Sequence, residues 1–203
     1  EMLISSTIAS ASLGSTIESS QIIRAMEVER GGKPEATCWF GEAEKLPVAA
    51  AARVNAVMSD AAASAGSDLR NIVHAGTTAC AVSLAVAEKT GASGHDVLAA
   101  IVLGYEIAGR VNGAMIGGLQ KKGFHGSIVS SFAGAVSAGY LMKLDAPQMA
   151  NRYLRSAPRP NRLVSSPALR ALSTCFVFAD ALGIPHNAIL LETGIYEASP
   201  ERL

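Results

Sequence analysis

Long runs of small apolar residues at helical spacing fill the first 150 residues and favour an all-α fold, a helical bundle. Hydrophobic residues make up 49% of the 203-residue chain, whereas aromatic residues make up only 5%. A core with so few rings has to be built from Ala, Val, Leu and Ile in closely approaching helices. Alternating β-branched runs are nearly absent, and Ala36–Phe40 is the one credible strand. We therefore expect at most one short β-hairpin.

Local signals predict where several helices begin and end. Gly91 follows an apolar-periodic segment and predicts a helix C-terminus. Ser93 with Asp96, and Asp145 with Gln148, have the spacing of capping boxes and predict two helix starts. The apolar spacing predicts a buried face made of Ile22, Ile23 and Met26 in one helix, and of Val97, Ile101 and Ala108 in another. Gly104 lies in the second stripe, where it would let a neighbouring helix approach closely.

The composition argues against several classes of protein. The formal net charge is zero and no basic stripe carries interleaved aromatic residues, so nucleic acid is not expected as a partner. Three scattered cysteines without C-x-x-C spacing favour neither disulfides nor a zinc site, and fit a cytoplasmic location. Polar residues interrupt every apolar stretch well before the roughly 20 residues of a membrane span. We expect no secretory signal and no membrane partner.

The last 53 residues differ from the rest of the chain. They contain five of the eight prolines and six arginines but no lysine. We predict one domain over residues 1–150 and a separate Arg/Pro-rich tail over residues 151–203, partly helical or disordered. Within this tail, Arg152–Ser165 is expected to be an irregular linker, and helical patterning persists in Ser166–Leu182. Such a tail could be an appendage or the product of a shifted reading frame.

Two histidine segments are the candidate functional residues. His74-Ala75-Gly76 and Gly123-Phe124-His125-Gly126 each stand at the start of a long small-residue helix. The backbone N–H groups of a helix start attract anions, and imidazole titrates near neutral pH. Together, two such helix starts could bind a carboxylate and move a proton. In the alternative interpretation, each histidine only caps or flanks its helix.

Residues from about Leu3 to Gln148 resemble the N-terminal helical domain of the MmgE/PrpD family, the 2-methylcitrate dehydratase-like proteins. The resemblance rests on the order and spacing of several segments, namely GGKPEATCWF, NAVMS, HAG, GASGHDVLAAIVLGYEIAGRV and GFHGSIVSSFAGAVSAGYLMKLDAPQ. Within the family, NAVMSDAAAS followed by SDLRNIVHAG is most similar to the iminodisuccinate epimerase branch. The resemblance also implies that the first helix begins further upstream, so we expect the chain to be clipped at its start.

The resemblance implies cofactor-independent, metal-free chemistry on small polycarboxylates such as 2-methylcitrate, cis-aconitate and iminodisuccinate. The shared step is proton removal or delivery next to a carboxylate, in a lyase (dehydratase) or an epimerase. His74 matches the family's His-Pro-Gly histidine and His125 its Gly-Phe-His histidine, which makes both candidate catalytic residues. Ser67 matches a threonine whose hydroxyl could bind substrate. Asp68 and Arg70 are further candidate substrate-binding residues, and the alternative for both is an exposed loop residue without a role in binding.

The chain departs from the family pattern in two ways. Ala63, Ser64, Ala65 and Gly66 stand where the family has Asp-Phe-Asp-Asp, which puts dehydratase activity in doubt. The family's second, α/β domain, with its lysine and further histidines, has no counterpart after Ala150. A truncated, inactive helical remnant or dimerisation module, with a possible homodimer as its assembly, is therefore the alternative to an enzyme.

Overall fold

The computed structural model describes residues 1–42, 44–62, 74–114, 126–156 and 159–195. The chain divides into two compact units, Glu1–Met142 and Lys143–Leu203. Helices dominate both units, which confirms the predicted all-α class. In the described part of the chain, no helix combines the length and the apolar character that crossing a membrane requires.

The first unit is a bundle of helices with one small antiparallel strand pair. The helices are α1 (Met2–Gly14), α2 (Glu18–Arg30), α3 (Val48–Ala61), α4 (Gly76–Thr90), α5 (Gly94–Ala114) and α6 (Ser130–Leu141). A 3-10 turn over Gly126–Val129 leads directly into α6. The strands β1 (Ala36–Thr37) and β2 (Lys45–Leu46) pair with Ala36 opposite Leu46. The observed strand β1 is therefore shorter than the predicted strand Ala36–Phe40.

Small side chains form the core around α4, as the composition predicts. Helix α4 packs against α1, α3, α5 and α6. On its α5–α6 side, the buried residues are Ala75, Ala79, Cys80, Val97, Ile101, Ala108, Val129 and Ala133. This set contains the predicted stripe of α5, and Tyr105 also packs against it. Because most of these side chains are short, the helix axes can lie close together.

Helix α2 does not bury the face that its apolar residues predict. Ile22 is 54% exposed and Met26 is 43% exposed. The buried positions are instead Ser20 and Glu27. Glu27 is held in place because its carboxylate pairs with Arg53 of α3 and with Arg30 of its own last turn. Ion pairing between α2 and α3 thus helps to decide which face of α2 is buried. The apolar spacing of the sequence does not predict this pairing.

The second unit contains more regular structure than the sequence indicates. Helices α7 (Ala146–Ser156) and α8 (Leu169–Leu182) pack against each other. Strands β3 (Val164–Ser165) and β4 (Leu190–Leu191) pair in parallel, which the sequence did not predict. The prediction of an irregular linker over Arg152–Ser165 is wrong at both ends, because residues 152–156 are helical and residues 164–165 form β3. Helix α7 runs that far because no proline or glycine follows Pro147 before Pro158.

Candidate active site

His74 lies immediately before α4, at the junction of two helix starts. Ala75 is the N-cap residue of α4, and the His74 side chain is half-buried. The hydroxyl of Ser130, the first residue of α6, donates a hydrogen bond to the His74 carbonyl oxygen at 3.1 Å. The main chain at His74 is therefore fixed to the beginning of α6, although 56 residues separate the two partners.

A cavity of about 330 Å³ opens beside His74. Helices α2, α3, α4 and α6 and the turn before α6 contribute to its lining, which consists of Ser19, Ala56, Val57, Asp60, Ala61, His74, Thr77, Thr78, Ser127 and Ser130. Five of these side chains carry hydroxyl groups, and two, Asp60 and His74, are titratable. Such a lining suits a small polar ligand, because convergent polar groups on a concave surface fix a ligand's orientation.

The start of α4 forms one wall of this cavity. The N-cap residue Ala75 makes no side-chain capping hydrogen bond, and the first turn of α4 contains no acidic residue, so among the described residues no capping side chain or first-turn carboxylate neutralises the first N–H groups of this helix. Thr77 is only 5% exposed, yet it lines the cavity. Among the described residues, nothing forms a hydrogen bond with its hydroxyl. A hydroxyl that lines the cavity and the N–H groups of the same helix start can receive an anionic oxygen.

The last turn of α3 forms a second wall, and it brings a residue that sequence reasoning missed. Asp60 is exposed and lines the cavity together with Val57 and Ala61, three and one residues away on the same helix. The only signal in the sequence was its place near the end of a long Ala-rich segment. The residues next to Asp60 in the sequence do not indicate that α3 places its side chain at the cavity beside His74.

The other predicted site residues, Ser67, Asp68, Arg70 and His125, lie outside the described residues. Ser127, two positions after His125, lines the same cavity as His74. The segment that follows His125 therefore reaches the site. The meeting of the two histidines stays a prediction.

Neither buried cysteine is suited to nucleophilic chemistry. Cys38 is 1% exposed, and burial raises the pKa of its thiol to about 11. Burial also raises the pKa of Cys80, which lies in the core as the sequence predicts. Both thiols are protonated at neutral pH, and the thiolate is the reactive form. Within the described ranges, no group of three His, Cys, Asp or Glu side chains could hold a metal ion.

Comparison with known proteins identifies the family of this chain. The family model described as the MmgE/PrpD N-terminal domain matches residues 1–153, about three quarters of the chain. No curated protein and no solved structure matches the chain. The family match covers every residue that lines the cavity. The chain therefore belongs to the MmgE/PrpD family.

Proposed function

We propose that the cavity beside His74 binds a small polycarboxylate, and that His74 transfers a proton at the carbon next to one of its carboxylates. The observation that carries this proposal is the position of His74, which shares one cavity with the first turn of α4 and with the turn before α6. The cavity volume of about 330 Å³ is at the lower end of small-ligand pockets, which span roughly 300–1,000 Å³.

The proposed chemistry uses each part of the site. A carboxylate at the start of α4 accepts hydrogen bonds from backbone N–H groups and from the Thr77 hydroxyl, which also stabilise charge that develops during deprotonation. The imidazole of His74 acts as the general base or general acid. His125, two residues before the cavity-lining Ser127, is the proposed second proton-transfer group.

Two reactions share this first step. In dehydration, the C–H proton goes to the base, the C–H electron pair forms a C=C bond, and the neighbouring hydroxyl leaves as water after a proton is donated to it. In epimerisation, one group removes the proton and the other returns a proton to the opposite face of the same carbon. We propose epimerisation for this chain, because Ala63, Ser64, Ala65 and Gly66 replace the family's acidic cluster, and because of the similarity to the iminodisuccinate epimerase branch.

Proton exchange in D₂O tests the shared step directly. The chain is incubated with 2-methylcitrate, cis-aconitate or iminodisuccinate, and proton NMR follows the loss of the signal next to the carboxylate. Chiral analysis of the product then distinguishes inversion from elimination. We expect exchange with at least one compound, and a reduction of about 100-fold or more in His74→Gln, the usual size of a lost general acid or base.

His95→Gln is the matched control, because His95 is an exposed first-turn residue of α5 that does not line the cavity. This variant is expected to exchange protons at the wild-type rate. Equal exchange in wild type, His74→Gln and His95→Gln would contradict the proposal.

Stability distinguishes a site residue from a structural one. Because His74 is half-buried beside a cavity, His74→Ala is expected to change the free energy of unfolding by no more than about 0.5 kcal/mol, as measured in urea. A loss of several kcal/mol would support the alternative in which His74 only braces the start of α4.

A further inference from the structure

The cavity beside His74 has walls of opposite electrostatic character. The last turn of α3 presents the negative end of a helix, and this turn contains no basic residue of its own. The first turn of α4 presents the positive end of a helix, and this turn contains no acidic residue of its own. Both ends line the same cavity, so their fields act on one bound molecule.

One side chain on each wall reinforces this difference. Asp60 adds a carboxylate to the negative wall, and no lysine or arginine among the described residues pairs with it. Thr77 adds a hydroxyl to the positive wall, buried to 5% exposure and without a hydrogen-bond partner among the described residues. Because Thr77 lines the cavity, a carboxylate bound there can accept a hydrogen bond from this hydroxyl.

We propose that Asp60 is a specificity-determining residue, which selects ligands with a hydrogen-bond donor or a cationic group beside the reacting carbon. This inference rests on the proposed function and deepens it. The ligand's carboxylate binds at Thr77 and the start of α4, while a hydroxyl or amino group on the next carbon faces Asp60. A second carboxylate directed at Asp60 is disfavoured, because two like charges repel and the end of α3 adds to the repulsion.

Three four-carbon dicarboxylates isolate this effect. Succinate, L-malate and L-aspartate have the same skeleton and carry hydrogen, hydroxyl and ammonium, respectively, on one carbon. Titrating each into the isotopically labelled 203-residue chain, with NMR detection of the Thr77 and Thr78 amides, gives both the site and the affinity. We expect L-aspartate to bind about fivefold more tightly than succinate, with L-malate between them, as for one partly solvated charge-assisted hydrogen bond.

Substitution of each wall separates the two roles. Asp60→Asn is expected to bring the aspartate-to-succinate affinity ratio close to one. Glu29→Gln, which removes an exposed carboxylate of α2 away from the cavity, should leave the ratio at its wild-type value. Thr77→Val is expected to weaken all three ligands by a similar factor, and Thr77→Ser to restore them.

Ser83→Ala is the control for Thr77→Val, because Ser83 also carries a buried hydroxyl without a partner on α4 but lies outside the cavity. This variant should bind all three ligands as the wild type does. Equal affinities in the wild type, or an unchanged ratio in Asp60→Asn, would overturn the role of Asp60 and leave the proposed function standing. If none of the three ligands shifts the Thr77 and Thr78 amide signals, the proposal that this site binds carboxylates is refuted. The proposed role of Asp60 is then refuted as well.

Discussion

Asn55 is a single buried side chain that fixes a strand to a helix. Its amide nitrogen donates to the Thr37 carbonyl oxygen at 3.0 Å, and its amide oxygen accepts from the Trp39 N–H at 2.8 Å. Asn55 lies in α3 and is fully buried. The segment around β1 thus has two of its backbone groups satisfied by α3, which holds the hairpin on the bundle.

Asn55→Leu is expected to lower the free energy of unfolding by about 2–4 kcal/mol, because it leaves two backbone groups near β1 without partners. Urea denaturation measures the change. Gln21→Ala, at an exposed position of α2, serves as the comparison and should shift stability by no more than about 0.5 kcal/mol. Similar values for the two variants would refute the role assigned to Asn55.

At the scale of elements, close helix contact depends on positions without side chains. Ser137 of α6 donates a hydrogen bond to the Ala100 carbonyl oxygen of α5 at 2.8 Å, across the interface that includes Gly104. A Cβ atom at Gly104 would lie 2.4 Å from the Ser137 hydroxyl oxygen and 3.0 Å from the Ala133 carbonyl oxygen. The close approach of α5 and α6 predicted from Gly104 is therefore confirmed.

Gly104→Ala is expected to destabilise the protein by about 1–3 kcal/mol, because α5 and α6 have to separate or Ser137 has to leave its hydrogen bond. Gly94→Ala, at the start of the same helix, meets no atom within 4 Å and should be neutral or slightly stabilising. Thermal unfolding of the two variants tests this pair. A Gly104→Ala protein as stable as Gly94→Ala would show that the interface tolerates a methyl group.

Carboxylates connect the strand pair to the helices and make this connection pH-dependent. The hydrogen bond from Lys89 of α4 and the N–H of Val48 at the start of α3 lower the pKa of Glu35 below its ordinary value of 4.5. The hydrogen bond from Arg24 of α2, with an Nη2–Oε2 distance of 2.8 Å, lowers the pKa of Glu44 in the same sense. Both groups bind protons more weakly in the folded state than in the unfolded state.

The stability contributed by these two carboxylates is expected to be complete above about pH 4.5 and to be lost as the pH falls through their lower folded-state values. The unfolded state binds more protons in that window, so the free energy of unfolding rises with pH there. Urea denaturation between pH 3 and 6 should show a shallower slope for the Glu35→Gln, Glu44→Gln double variant than for the wild type. Equal slopes would assign the acid sensitivity to other groups.

At the scale of the whole molecule, family membership and the sequence departures lead to different expectations about rate. The family match extends over residues 1–153, which include every residue that lines the cavity beside His74. Ala63, Ser64, Ala65 and Gly66 nevertheless provide no carboxylate to orient a histidine, and residues 151–203 contain no lysine. An oriented partner sets the tautomer of a histidine, and its loss slows proton transfer.

We expect the 203-residue chain to turn over any of 2-methylcitrate, cis-aconitate and iminodisuccinate at well below about 1 per second, the lower end of ordinary enzymatic rates. Slow proton exchange in D₂O is compatible with this expectation. Turnover at an ordinary rate would contradict it, and would mean that residues of this chain complete the site in a way that the family pattern does not indicate.

The sequence by itself determined the helical class, the family and several helix boundaries. The signals at Gly91, at Ser93 with Asp96 and at Asp145 with Gln148 act over three or four residues, and the structure shows the corresponding caps. Tertiary structure alone decided that Ser20 and Glu27 of α2 are buried, that β3 pairs with β4, and that Asp60 and Thr77 line the cavity of His74. Those outcomes depend on which helices pack together, and such contacts join residues too distant in sequence for local spacing to encode them.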